Sequence, residues 1–161
     1  MRRLLNFRKV NASVLLKSKL YDETHFYDAF TKDLKHAKQE VIIESPYLTC
    51  KRANELAPVF RKLIRKGVRV HVNTRNPNHH DKYLRIQAWI ALKKLKDSGV
   101  KVRLYNDMRH RKLAILDNTI LWEGSLNVLS QNNSREVMRR TESKELCRQM
   151  ISFAKLKRWY W

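Results

Sequence analysis

Two stretches of the chain share one pattern: Ile64-Arg65-Lys66-Gly67-Val68-Arg69-Val70-His71-Val72 and Leu95-Lys96-Asp97-Ser98-Gly99-Val100-Lys101-Val102-Arg103-Leu104. Each reads as the end of a helix, a glycine at its left-handed stop, and then a strand with alternating apolar residues. Between them, Leu84, Ala88, Ala91, Leu92 and Leu95 mark one side of a helix. Strands joined through a helix lie parallel, and the crossover helices cover the sheet. The expected fold class is therefore α/β: a mixed, largely parallel sheet flanked by helices on both faces. No linker or break in composition divides the chain, so one domain over residues 1–161 is expected.

The remaining segments fill in that plan. Residues 1–20 carry six basic side chains and no acid, which suits a first strand or a basic arm. Phe26, Phe30, Leu34 and Ala37 then recur at helical spacing, with Asp22 available as N-cap. Val41-Ile42-Ile43-Glu44 reads as a buried strand closed by Ser45-Pro46. Leu56, Val59, Phe60 and Leu63 define a second helix, and Pro58 predicts that it starts near Asn54. Strands follow around residues 111 to 123 and near Glu136 to Arg140, then a helix bearing Leu146, Met150 and Phe153. Residues 155–161 form a basic and aromatic tail, suited either to stacking on unpaired bases or to packing on the body.

Charge narrows the partners. Of 161 residues, 35 are Lys or Arg and 15 are Asp or Glu, a net charge of +20. Such self-repulsion favours a polyanionic partner, nucleic acid or an anionic membrane surface. No window approaches the roughly 20 apolar residues of a spanning helix, and no apolar stretch follows the basic start as a secretory signal requires. Two cysteines, Cys50 and Cys147, make no disulfide framework and fit a reducing cytoplasm. Neither sits in a metal-ligand spacing, and no cluster of Asp and Glu accompanies the segment around His110, so no metal and no cofactor is expected.

The chemistry concentrates in His110-Arg111-Lys112-Leu113-Ala114-Ile115-Leu116-Asp117, followed six residues on by Gly124-Ser125-Leu126-Asn127. On a strand, His110 and Lys112 share a face while Arg111 and Leu113 share the other. An imidazole and an ammonium side by side suit one phosphate, the first to attack phosphorus and the second to hold its oxygens. Asp117-Asn118 predicts a turn into a returning strand, which brings Gly124, Ser125 and Asn127 back beside His110. There the glycine permits close approach, and the hydroxyl and amide can donate to a phosphate.

These residues resemble the H-x-K-x4-D and G-S-x-N signature of the phospholipase D superfamily, and the chain's order and length resemble its small nucleases with a single motif. The resemblance implies a metal-independent phosphodiesterase, a nuclease acting through a phosphohistidine. Its site residues would be His110, Lys112, Ser125 and Asn127, with Glu136 as the acid that orients a histidine and Asp117 closing the motif. Asp117 reads better as support for the turn than as a chemical participant. The family reaction uses two histidines, and His80-Asp81-Lys82 is a poor second copy: Gln87 stands where an Asp belongs, and the triplet opens a helix. A two-fold homodimer that pairs two His110 copies across one phosphate, one half-site per chain, is the expected solution. Arg111, Arg135, Arg139, Arg140, Arg65 and Lys66 are the expected contacts to nucleic acid, with DNA favoured and single strands an option. Two other readings stay open: a nucleic-acid-binding module that works with a partner protein, and a lipid phosphodiesterase at anionic membranes.

Overall fold

The computed structural model describes residues 17–130 and 134–156. The basic arm before residue 17 and the aromatic tail after 156 lie outside them. Seven strands form one sheet: β1 (Ser18–Asp22), β2 (Glu40–Glu44), β3 (Arg69–Arg75), β4 (Lys101–Tyr105), β5 (Lys112–Leu116), β6 (Ile120–Gly124) and β7 (Val137–Glu142). Their order is β1-β7-β6-β5-β2-β3-β4. The helices are α1 (Phe26–His36), α2 (Cys50–Arg65), α3 (Lys82–Asp97) and α4 (Lys144–Phe153).

The architecture is mixed α/β, as the sequence implies, with its parallel part confined to β2-β3-β4. The other four neighbouring pairs are antiparallel, so the balance lies opposite to the expected largely parallel sheet. The reason is local: after β4 the connections shorten to turns and loops, and a short connection can only fold a strand back antiparallel. Asp117 and Asn118, with φ of 52° and 53°, make the tight β5–β6 turn. Gly67 and Gly99, with φ of 84° and 88°, stop α2 and α3 in the left-handed conformation their positions predict.

Side chains alternate across the sheet and separate two apolar layers. Ala114, Leu116, Val41, Ile43 and Trp122 pack under α1, α2 and α3. Leu113, Ile115, Ile42 and Leu121 face α4, with Cys147 and Leu156. Trp122 anchors the first layer against Phe26 and Phe30, and its indole N–H donates to Asp33.

Two helix starts differ from expectation. α2 begins at Cys50, capped by Thr49, whose hydroxyl accepts the Arg52 amide, and Pro58 lies inside it. Burial of Ala53, Leu56 and Ala57 outweighs the one hydrogen bond that proline removes. Asp22 is not the cap of α1; its carboxylate accepts the amides of Thr24 and His25 and shapes the turn before the helix.

Candidate active site

His110 lies just before β5, and Lys112 opens that strand, so the pair stands at the strand's mouth instead of both within the ladder. The two side chains nevertheless meet. Lys112 Nζ is 2.6 Å from His110 Nδ1 and 2.9 Å from the His110 carbonyl. An ammonium only donates, so Nδ1 is the acceptor and the proton of the neutral ring resides on Nε2. Burial, then the Lys112 ammonium and the Arg75 guanidinium, hold His110 below the usual histidine range. Burial also lowers Lys112, while the negative charge of Glu136 opposes that shift.

What fixes His110 is a buried carboxylate. Glu44, at the end of β2, is fully buried and takes a two-pronged contact from Arg111: Nε at 2.9 Å and Nη2 at 3.3 Å. Arg109 reaches the same carboxylate at 3.5 Å, binds Asp107, and lies over the Tyr105 ring. The residues on either side of His110 are thus both tied inward to one acid, which leaves the imidazole facing outward. Arg111 also donates to the Ala154 carbonyl, beyond α4. Expected as a nucleic-acid contact, Arg111 is instead committed to the scaffold, because an uncompensated buried Glu44 would be costly. A carboxylate at the end of the buried run Val41-Ile42-Ile43-Glu44 was the sequence signal for this network, and it pairs with the arginines that alternate with the motif.

Gly124 and Ser125 serve β7 first. A Cβ on Gly124 would stand 2.2 Å from the Val137 carbonyl and 2.9 Å from Met138 Cα, so this close approach is of strand to strand. Ser125 extends the pairing: its amide donates to the Val137 carbonyl, and its hydroxyl accepts the Val137 amide. Lys112, Gly124 and Met138 form one row across β5, β6 and β7, which brings Glu136 into electrostatic reach of Lys112. Glu136 itself precedes β7 and accepts from the Ser134 hydroxyl; no hydrogen bond joins it to His110. Asn127 is buried, its side-chain oxygen without a hydrogen-bond partner, and its carbonyl accepts from Tyr27.

Asp117 lies at the far end of β5. Its carboxylate accepts the amides of Lys38, Gln39 and Glu40, which is the supporting role its turn position predicts. The expected basic contacts scatter. Arg140 is held by Asp33 and Glu142, Arg139 donates to Ser18, and Arg135 pairs with Glu23 while almost fully exposed. Arg65 and Lys66 sit where α2 ends, near the Glu40 end of β2, at the opposite end of the strands from His110.

His80 proves closer to the site than its sequence context suggests. Asp81 caps α3 and Lys82 is its first residue, so the triplet is no second motif. Yet the buried His80 ring stands 5.0 Å from Tyr47, and Tyr47 stands 5.7 Å edge-on from His110. Tyr47 and Arg75, both missed in the sequence, complete this wall. Nothing in their local pattern marks them; only the parallel β2–β3 pairing carries Arg75 to the same end as His110.

A family model described as "Cardiolipin synthase, PLD-like domain" matches residues 30–157. Among solved structures, NucT from Helicobacter pylori aligns with TM-score 0.68 at 20% identity, over 87% of this chain and 94% of that one. Nuc from Salmonella typhimurium, a phospholipase D family member, aligns with TM-score 0.72 at 14% identity, over 86% and 91%. TrmBL2, an archaeal chromatin protein, aligns with TM-score 0.60 at 11% identity, over 87% of this chain and 51% of that one. No curated protein matches the sequence. At these identities the structural likeness is one of fold.

Proposed function

The chain belongs to the phospholipase D-like family, and on that premise we propose that it is a metal-independent phosphodiesterase that cuts nucleic acid, DNA before RNA. One observation carries the reading: His110 and Lys112 are in contact, outward-facing, and anchored through their neighbours to a buried acid. A phosphate entering here offers Lys112 an anionic acceptor better than a neutral imidazole, so the ammonium moves to its oxygens and frees the ring. The neutral ring of one His110 attacks phosphorus, and the bond to the leaving nucleoside oxygen breaks. A second imidazole, protonated, gives that oxygen its proton. Water then attacks phosphorus, passes a proton to the second imidazole, and releases the first histidine. Lys112 and Asn127 offset the charge on the five-coordinate phosphorus. Glu136 keeps Lys112 charged against the pull of burial.

The second imidazole is His110 of another copy. The surface beside the site supports this pairing: α3 begins two residues after His80 and exposes Tyr83, Ile86, Trp89 and Ile90 along one side. The likeness to TrmBL2, an archaeal chromatin protein that binds DNA, favours a second reading, a binding module without turnover. Digestion of labelled single-stranded and duplex DNA and RNA in EDTA, with wild type and His110→Ala, separates the two. Cleavage lost in the variant is the expected result; equal cleavage by both proteins, or none by either, would overturn the enzymatic reading. Anionic vesicles in parallel report on a lipid substrate.

A further inference from the structure

The last two turns of α2 and the end of α1 enclose a groove of about 490 Å³ whose rim holds Lys35, Arg61, Lys62, Arg65 and Lys66. No acid lines it, and its floor is Pro58, Val59 and Leu63. Arg61 is steadied by the Ser98 hydroxyl at 3.5 Å, and none of Lys35, Lys62, Arg65 or Lys66 is ion-paired with a described acid. Five cations crowded without counter-charge repel one another, and a polyanion relieves that cost.

The groove is remote from the chemistry. α2 starts beside Tyr47, which touches the His110 ring, and runs back to the Glu40 end of β2, where Arg69 pairs. Its 16 residues make a rod of about 24 Å. One strand of a duplex carries a phosphate every 3.4 Å or so, so about seven phosphates span that distance. The exposed side of α2 carries Lys51 near its start, and its acid Glu55 is already paired with Arg52.

We propose that this groove is a second phosphate-backbone site, which grips the same nucleic acid about seven phosphates from the bond being cut. The proposal rests on the nuclease reading for its ligand, but not on the chemistry at His110. A short strand reaches only the active site, whereas a longer one reaches both.

The test compares two sets of substitutions in full-length protein, each carried with His110→Ala so that no strand is cut during titration. The first set is Lys62→Gln/Arg65→Gln/Lys66→Gln. The second, Lys144→Gln/Arg148→Gln/Lys155→Gln, removes equal charge from exposed positions on and just after α4, over the opposite face of the sheet. Binding to duplexes of six and twenty base pairs is followed from 50 to 200 mM salt. The groove set is expected to lower the slope of log affinity against log salt by about 2.7 on the long duplex, roughly 0.9 per lost contact. On the short duplex it should change little. The α4 set should leave the long-duplex slope nearly intact. Equal effects of the two sets, an unchanged slope in the groove set, or no binding by the parent would overturn the proposal. Failure of the nuclease reading looks different: no cleavage by wild type, with the groove-dependent slope still present.

Discussion

At the residue scale the site depends on the ionisation of one imidazole. His110 is held below the ordinary histidine value of about 6.5 by burial and by two cations, Lys112 and Arg75. A lowered value means that the ring stays neutral to lower pH, as the nucleophilic role proposed for it requires across the neutral range. The sign for activity follows: kcat/KM rises with pH through an acid limb below about 6.5, where the attacking ring loses its proton. Arg75→Gln removes one of the two cations, so the acid limb should move upward, toward the ordinary histidine value. A pH–rate profile on a small activated phosphodiester checks this, because such a substrate does not need distant contacts. A limb that stays in place would show that the Arg75 charge is screened from the ring. In the proposed pairing of two His110 copies over one phosphate, the apparent values belong to the pair.

At the element scale, the motif's short polar residues build the sheet before they meet any substrate. Gly124 allows β7 to lie against β6, and Ser125 carries the pairing one residue further, which places Glu136 near Lys112. Gly124→Ala forces a methyl against the Val137 carbonyl and the Met138 backbone, neither of which is a flexible side-chain end. We expect a loss of about 1–3 kcal/mol in denaturant unfolding, the range of overpacked sites, and a larger loss of activity as β7 shifts Glu136. An alanine variant of wild-type stability would show that β7 can retreat freely. The β–turn–β that carries the motif was legible because its continuous apolar runs and its Asp-Asn turn are local signals. So were the two helix-glycine-strand units. The sheet order was not: the pairing of β5 with β2 joins residues some 70 positions apart, and no periodicity records it. The same blindness hid Tyr47, Arg75 and the Glu44 network, and it made Arg111 look like a free cation. α2 started early because a proline's penalty is local while the burial that offsets it is tertiary.

At the scale of the whole molecule, two forces act in opposite directions on a pair of chains. The α3 face exposes Tyr83 at 70%, Ile86 at 54% and Ile90 at 55%, an apolar stripe beside the site that a second copy would cover. Full burial of an exposed apolar side chain contributes about 1.5–3 kcal/mol, and these partly exposed ones contribute in proportion to the area they still show. Against this, each copy carries a charge of +20, and bringing two together costs repulsion that salt screens over roughly 10 Å at 0.1 M. Self-association should therefore strengthen as salt rises, while attachment to the phosphate backbone weakens. Cleavage of long DNA should in consequence pass through a maximum at intermediate salt. Light scattering follows the first arm, with wild type moving from 19.4 kDa toward twice that mass as salt increases. Ile86→Glu/Ile90→Glu places two carboxylates in the shared face and should hold the chain at the monomer mass and abolish cleavage, while DNA binding persists. A wild type that cuts DNA as a monomer would break the pairing of two His110 copies, and so would a glutamate variant that still dimerises and cuts. Either result would send the search for the second imidazole to His80, which already lies across Tyr47 from His110.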